Sequence, residues 1–246
     1  MQVSRNIALA VHFLLDECLP PILRDQDWFM WLPFWLLFGR HSDTFRSFKD
    51  RGHELDEEDF LRVYRETAAV HLKRPTDLNT ACIERIHRNI SGQTVLEVGC
   101  GRGHLAGILV RDHDVTACDM AIDPELPKRL PRVWFRVENV ERLSFSDASF
   151  DTVVCTHTLE HVQHLDVAIR ELRRVARRRL IVVVPVQRPY RHTFDLHLHF
   201  FPLGHMLLAR FPAGPGIGNR SLHRVGGDWY YQENREPVAA IAAKSA

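Results

Sequence analysis

Between residues 94 and 185 the chain alternates short apolar runs with polar turns, and this pattern predicts strands separated by helices. Leu105–Val110 has the composition of a buried helix, and Asp166–Val175 has amphipathic helical spacing. Gly226-Gly227 between two β-prone runs predicts a hairpin near the C-terminus. The expected class is α/β, with a doubly wound, mostly parallel sheet and an antiparallel C-terminal hairpin. The apolar runs that predict the five parallel strands are 95–98, 115–118, 133–137, 152–156 and 180–185.

The first 90 residues have a different pattern, in which apolar positions recur at helical spacing. One helix is predicted over 60–72 behind a cap at Asp56, and another over 78–90 behind Thr76 and Asp77. The predicted organisation is an N-terminal helical extension or lid over 1–90, a core domain over 91–237 and a frayed tail over 238–246.

An aromatic segment interrupts this N-terminal region: Trp28–Phe38 is a run of eleven apolar residues. It is too short to span a bilayer, which takes roughly 20 residues, and Pro33 is expected to interrupt any helix there. Three interpretations stay open. The segment packs over the core as a lid, it anchors the protein at a membrane interface through Trp28, Trp31 and Trp35, or it mediates dimerisation.

Composition narrows the functional class. The 246 residues leave room for one α/β domain and an additional segment. A net charge of +1 gives no overall positive potential that would attract nucleic acid. Five cysteines without C-x-x-C spacing are typical of a reduced, cytoplasmic protein. Ile7–Leu15 is apolar but is interrupted by His12 and followed by Asp16-Glu17, so we do not expect a signal peptide. A cytoplasmic location is expected, with contact to the inner face of a membrane as an open alternative.

The first strand leads into a glycine-rich turn and then a helix, an arrangement that presents bare main-chain N–H groups to a ligand. The glycines stand at alternate positions, Gly99, Gly101 and Gly103. A dinucleotide fingerprint, G-x-G-x-x-G, would require glycine at His104 and is therefore disfavoured. Asp119 stands at the end of the second predicted strand, where an acid accepts both hydroxyls of an adenosine ribose.

Further segments extend this pattern over roughly 70 residues. Glu97 precedes the first glycine by two positions, Leu143–Asp151 leads into the fourth strand, and Leu159-Glu-His-Val162 follows it. This order resembles the class I S-adenosylmethionine-dependent methyltransferases, in particular the methyltransferase type 11 group that includes the quinone-biosynthesis enzymes. The resemblance implies a Rossmann-like fold and S-adenosyl-L-methionine as cofactor.

The resemblance also implies the cofactor-binding residues. Asn139 stands where the family usually has an aspartate that accepts the adenine amino group, and its amide oxygen accepts that bond without a charge. Ser144 and Ser146 replace the usual prolines. Cys100 is expected to be a small turn residue rather than a nucleophile. The expected cofactor-binding residues are Glu97, Gly99, Cys100, Gly101, Gly103, His104, Asp119, Met120, Asn139, Val140 and Thr156.

Two histidines are candidates for the acceptor side. His157 follows the fourth strand, and His199 follows the fifth, just before Phe200-Phe201, as in related methyltransferases. Ligands of open α/β sheets lie beyond the carboxyl ends of the strands, and a histidine of near-neutral pKa suits removal of a proton. We therefore predict His157 and His199 as catalytic residues, one of them the general base. A structural role for His199 is equally open.

The histidine-rich segment around His199 also raises the question of a metal. It contains His192, Asp195, His197 and His205, but it lacks the spacing of a catalytic zinc helix. No metal is expected.

These residues favour an S-adenosylmethionine-dependent methyltransferase that acts on a small-molecule, glycan or lipid-linked acceptor, with no nucleic-acid partner. O- or C-methylation is favoured because Cys155-Thr-His-Thr158 stands in place of the Asn-Pro-Pro-Tyr motif used for planar amino groups. One alternative is a catalytically silent module that binds the cofactor and acts as a regulator or partner. Another alternative is a nicotinamide-dependent oxidoreductase. The mismatch of His104 with the last glycine of G-x-G-x-x-G argues against it.

Overall fold

The computed structural model of the protein describes residues 18–67, 76–189, 191–192 and 195–236. The chain divides into two compact units. The smaller unit contains 1–74 and 188–200, and the larger contains 75–187 and 201–246. This division differs from the expected boundary at residue 90, and the lid function of the N-terminal region stays a prediction.

The smaller unit is helical in its described N-terminal part, with a 3-10 turn at Gly39–His41. Its interior is aromatic: Phe38 and Phe45 stack with ring centroids 3.9 Å apart, and Phe48 lies 5.8 Å from Phe60. The cap expected at Asp56 is confirmed, because its carboxylate accepts the Asp59 N–H at 2.8 Å. Its helices are α1 Pro21–Arg24, α2 Asp27–Phe38, α3 Ser42–Arg51 and α4 Glu57–Thr67.

The expectation that Pro33 would interrupt a helix is wrong, since α2 runs through it from Asp27 to Phe38. A proline removes one hydrogen bond of the helical ladder and crowds the preceding turn. Met30 and Phe34 are fully buried on either side of this position, and we attribute the continuity of the helix to their packing, which outweighs the local penalty. The end of the helix predicted over 60–72, the segment Ile7–Leu15 and the C-terminal tail lie outside the described residues.

The larger unit contains one seven-stranded sheet. Its strands are β1 Thr94–Val98, β2 Asp114–Asp119, β3 Trp134–Val137, β4 Phe150–Thr156, β5 Ala176–Pro185, β6 Ile217–Val225 and β7 Asp228–Arg235. The strand order is β3-β2-β1-β4-β5-β7-β6. β1 to β5 are parallel, and β7 runs antiparallel to both β5 and β6. The predicted fold class is therefore confirmed, including the C-terminal hairpin.

Helices cover both faces of the central strands, which agrees with the mostly apolar runs in those strands. On one face, α8 buries Leu165, Ile169 and Leu172 in a cluster with β4 and β5. On the other, α5 and α6 pack against β1, burying Ile86 and Leu109. The helices of this unit are α5 Thr80–Asn89, α6 His104–Leu109, α7 Leu126–Arg129, α8 Leu165–Val175 and α9 Gly204–Arg210.

The cap of α5 is not the one expected from Thr76 and Asp77. Asn79 caps this helix, because its side-chain oxygen accepts the Cys82 N–H at 2.9 Å. The Thr76 hydroxyl instead accepts the Leu78 N–H at 3.1 Å, one turn too early to cap. Within the described ranges, no helix combines the length and the apolar character that crossing a bilayer requires.

Candidate active site

The glycine-rich turn after β1 is held against the end of β2. The N–H groups of Gly99 and Cys100 both donate to the carbonyl of Cys118, at 2.8 and 3.0 Å. Gly99 also lies directly against the Thr158 side chain, so that any Cβ at this position would overlap the hydroxyl. The sequence thus needs glycine here to bring the loops after β1 and β4 together.

Gly101 at the tip of this turn borders open space. Its φ of +49° lies in the left-handed region, and a Cβ built there would meet no atom within 4 Å. Its N–H donates to the Asp119 carboxylate at 2.8 Å. The turn therefore presents bare main chain beside an acid, which is the cradle that a nucleoside lying against the backbone requires.

Asp119 stands at the carboxyl end of β2, in register with Val137 of β3. Burial raises the pKa of its carboxyl, and the N–H groups of Gly101, Ala121 and Met120 oppose this shift. Three main-chain donors thus fix the carboxylate beside the open face of Gly101. This position is the one expected for an acceptor of ribose hydroxyls.

Glu97 lies within β1 and is almost fully buried, at 2% exposure. Burial raises its pKa to about 8, an effect that the Ala106 N–H partly offsets and Asp119 reinforces. One of its oxygens, Oε2, accepts no hydrogen bond from any described residue. A buried carboxylate oxygen without a donor is costly, and a cationic group with N–H donors would satisfy it.

The next residues of the motif have simpler environments. Cys100 is buried, and burial raises the pKa of its thiol far above the usual range. A neutral thiol is a poor nucleophile, which favours the role of a turn residue. His104 is the exposed first residue of α6, and Gly103 packs against Leu126 and Leu130.

The remaining predicted cofactor residues lie at the same edge of the sheet. Asn139 follows β3, and its side-chain oxygen accepts the Glu141 N–H at 2.9 Å, which shapes the turn. The Val140 side chain belongs to the hydrophobic core, so this residue offers a ligand only its main chain. Met120 is half-buried after Asp119, and Thr156 is buried at the end of β4. Contacts of these residues with the cofactor stay predictions.

His157, immediately after β4, has an unusual backbone. Its φ of +49° is in the left-handed region, uncommon for a residue other than glycine. Its N–H donates to the Val183 carbonyl at 2.9 Å. Its ring lies between two acids, with Nδ1 3.4 Å from Glu160 and Nε2 3.6 Å from Asp228. Such an outlier persists only where its surroundings hold it in place.

This environment favours the protonated form of the His157 ring. Burial alone would lower its pKa, but Asp228 and Glu160 outweigh burial and raise it to about 10. A ring that already holds its proton at neutral pH does not accept another. These surroundings favour a hydrogen-bond donor over a base at neutral pH, and the catalytic role of His157 stays a prediction.

Sequence reasoning missed the residues that hold His157. The Asp228 carboxylate accepts the Asn79 amide at 2.7 Å, and the same amide donates to the Val225 carbonyl at 3.1 Å. Asn79 thus joins the start of α5, the β6–β7 turn and the acid that faces His157. In the sequence, the two acids beside His157 are indicated only by their positions. Asp228 follows the hairpin glycines, and Glu160 follows β4.

The histidines of the 187–205 segment are divided between the two units. His199 belongs to the smaller unit, where its ring is 5.9 Å from that of His53. His192, in the same unit, is buried 3.3 Å from the Asp27 carboxylate and packs edge-on against Phe34. His205 is exposed in the larger unit. The role of His199 as an acceptor-side base stays a prediction.

Comparison with known proteins agrees with this geometry. Residues 96–184 match the methyltransferase domain family of the type 11 group. The 2-methyl-6-phytyl-1,4-hydroquinone methyltransferase of Synechocystis is 35% identical over 100 residues, which cover 38% of this chain and 31% of that protein. A ubiquinone biosynthesis O-methyltransferase of Xanthomonas euvesicatoria is 43% identical over 91 residues, 33% of this chain and 37% of that protein. The chain thus spans about a third of the length of these relatives.

A solved structure has the same fold. It is the 1,6-didemethyltoxoflavin-N1-methyltransferase of Burkholderia thailandensis with bound 1,6-didemethyltoxoflavin and S-adenosylhomocysteine. The TM-score is 0.50 at 20% identity, covering 73% of this chain and 86% of that one. Residues 96–184 therefore form a class I methyltransferase domain of the type 11 family, which uses S-adenosylmethionine.

Proposed function

We propose that this protein transfers the methyl group of S-adenosylmethionine to an oxygen or carbon of a small-molecule, glycan or lipid-linked acceptor. The observation that carries the proposal is the open face of Gly101 beside the Asp119 carboxylate, within the segment that matches the family. We further propose that the reaction takes place in the cytoplasm, a proposal that the free thiols of all five cysteines support.

Each chemical group of the cofactor has a suitable residue around the turn. Asp119 would accept the ribose hydroxyls, Asn139 and the main chain of Val140 would hold the adenine, and the unsatisfied oxygen of Glu97 would receive the ammonium group. The cofactor supplies an activated methyl group on a sulfonium. The protein then needs mainly to hold the acceptor in line with that methyl, and positioning contributes up to roughly 7–11 kcal/mol.

The environment of His157 bears on the acceptor. A protonated ring at the end of β4 donates a hydrogen bond, which suits an acceptor carrying an oxygen, and it leaves proton removal to another group. Two relatives named for hydroquinone and ubiquinone methylation support an oxygen- or carbon-bearing ring as acceptor. The Burkholderia enzyme is named for N1-methylation, so the fold alone does not choose the atom.

Cofactor binding tests the first half of the proposal. Replacing Asp119 by alanine removes a pair of charge-assisted hydrogen bonds worth roughly 1.5–3 kcal/mol. Asp119→Ala should therefore weaken S-adenosylhomocysteine binding at least tenfold in calorimetry. Gly101→Val should abolish binding, because its side chain would fill the open face at a positive φ.

Two controls and one measurement complete the test. Asp123→Ala removes an exposed acid from the same loop, and Gly214→Ala adds a methyl group where a Cβ would also meet open space. Both should bind as wild type does. Formation of S-adenosylhomocysteine from S-adenosylmethionine in a cell extract then tests transfer. Binding without any turnover would favour the silent module, and unchanged affinity in folded Asp119→Ala would contradict the site.

A further inference from the structure

Helix α2 carries large apolar side chains on its solvent-exposed side. Their spacing of three, four, seven and eight residues places them on one face of a helix. We call the following five side chains, with their exposed fractions, the aromatic face: Trp28 (70%), Trp31 (49%), Leu32 (51%), Trp35 (52%) and Leu36 (67%).

The rest of the helix is anchored in its own unit. Met30 and Phe34 are fully buried, so the helix already uses its other side for packing. Trp31 and Trp35 stack on each other with centroids 6.2 Å apart and planes 16° apart. Ile22 of the adjacent α1 is also 75% exposed. The aromatic face is therefore a formed surface on a packed helix.

We propose that the aromatic face docks on the surface of a lipid bilayer, with α2 lying in the interface. Tryptophan combines an apolar ring with an N–H donor and is favoured where hydrocarbon meets headgroups. The helix has twelve residues and is about 18 Å long, which suits lying in the interface and is too short for spanning. No charged residue belongs to the face, and the nearest acid, Asp27, is paired with Arg191 at 3.3 Å.

The size of the face argues against a second copy of the chain as the occupant. Its exposed side-chain area is roughly 600 Å², taking 150–250 Å² for a whole aromatic side chain. A stable dimer buries about 800 Å² on each partner. A bilayer sets no such minimum, since each side chain inserts independently.

The charges around the helix define the kind of membrane binding expected. Arg24, before the helix, is almost buried, and Arg191 is engaged with Asp27. Arg40, after the helix, hydrogen-bonds to His41. With these few cations, insertion of apolar side chains should dominate. Binding should therefore occur on neutral lipid and should depend little on salt.

The test is co-sedimentation of the full chain with phosphatidylcholine vesicles, with and without phosphatidylglycerol, at low and high NaCl. We expect binding to both vesicles at both salt concentrations. Trp31→Ser combined with Trp35→Ser should lower the partition coefficient at least tenfold, because about half of each ring would lose its apolar contact. The assay needs no cofactor or acceptor, so its result is independent of the methyl-transfer proposal.

Trp134→Ser is the matched control. Trp134 on β3 is 77% exposed, more than any tryptophan of the aromatic face, and it lies in the other unit. Its replacement should leave sedimentation unchanged, and circular dichroism should show all variants folded. Brominated lipid should quench the fluorescence of the face in a Trp134→Phe background.

Four results would overturn the proposal. The first is that the protein sediments with neither kind of vesicle, and the second is that the double variant sediments as the wild type does. The third is that binding requires phosphatidylglycerol and is lost at high salt. The fourth is that acrylamide quenches the fluorescence of the aromatic face poorly in the absence of lipid. The last would mean that protein already covers these rings. If light scattering shows that the wild type is a dimer and the double variant is a monomer, the aromatic face contacts a second copy of the chain.

Discussion

At the scale of single residues, we expect Glu97 to couple cofactor binding to a proton. Its pKa of about 8 means that most of the carboxyl is protonated at pH 7. An ammonium group beside its unsatisfied oxygen would favour the carboxylate and lower this pKa. We expect S-adenosylmethionine binding at pH 7 to release a proton, so that the heat of binding differs between phosphate and Tris buffers.

The same experiment identifies the group responsible. Glu97→Gln keeps the shape of the side chain and has no proton to release, so its heat of binding should be the same in both buffers. The release should also fade at pH 9 in the wild type, where Glu97 is already ionised. Equal heats in the two buffers for the wild type would show that no cation approaches Glu97.

For residues with local signals, the sequence predicted their positions at the strand ends. Gly99 and Asp119 stand beside strand ends whose apolar pattern is plain, and a turn of this kind is fixed by its own residues. Asp228 and Asn79 gave no such signal, because the two partners are 149 positions apart. Because the pKa of His157 depends on Asp228, the protonation of His157 could not be predicted from the sequence either.

At the scale of elements, α2 shows where local propensity misleads. Proline is among the strongest helix-breaking signals, but its penalty of about 3 kcal/mol is matched or exceeded by the burial of Phe34 and Met30, roughly 1.5–3 kcal/mol each. Packing partners far away in sequence decide such cases. The five parallel strands were predictable, since each contains a short, mostly apolar run bounded by turn residues.

Replacing Pro33 should therefore stabilise the smaller unit. Pro33→Ala restores an N–H to the middle of α2, a gain of up to about 3 kcal/mol, offset by roughly 1 kcal/mol from the more flexible unfolded chain. We expect the thermal midpoint in far-UV circular dichroism to rise by several degrees. Pro212→Ala, in an exposed loop outside any helix, is the control and should lower the midpoint slightly. A fall in the Pro33→Ala midpoint would show that the proline ring itself packs in the unit.

At the scale of the whole molecule, the His157 network makes stability depend on pH. The folded pKa of about 10 is above the ordinary value of 6.5. Its contribution is therefore fully present below pH 6.5, and it is lost as the pH rises toward 10. We expect the thermal midpoint to fall across this interval.

His157→Asn tests this dependence with a residue that tolerates a positive φ. The variant should be less stable than the wild type at pH 6, and the difference should shrink steadily toward pH 10. His223→Asn removes an exposed histidine on β6 and should leave the slope intact. A constant difference between His157→Asn and the wild type at all pH values would show that packing, not charge, is what His157 contributes.

The division of the chain has a consequence for its biosynthesis. The smaller unit takes 188–200 from beyond the fifth strand, and Leu196 and Leu198 of that segment are buried. A ribosome makes the N-terminal helices first, and the residues that complete their unit appear only after most of the sheet has been translated. The newly made N-terminal helices therefore expose apolar side chains until 188–200 has been translated. Exposed apolar surface of this kind favours chaperone binding. Removing the N-terminus to isolate the catalytic domain would in turn leave 188–200 without its partners.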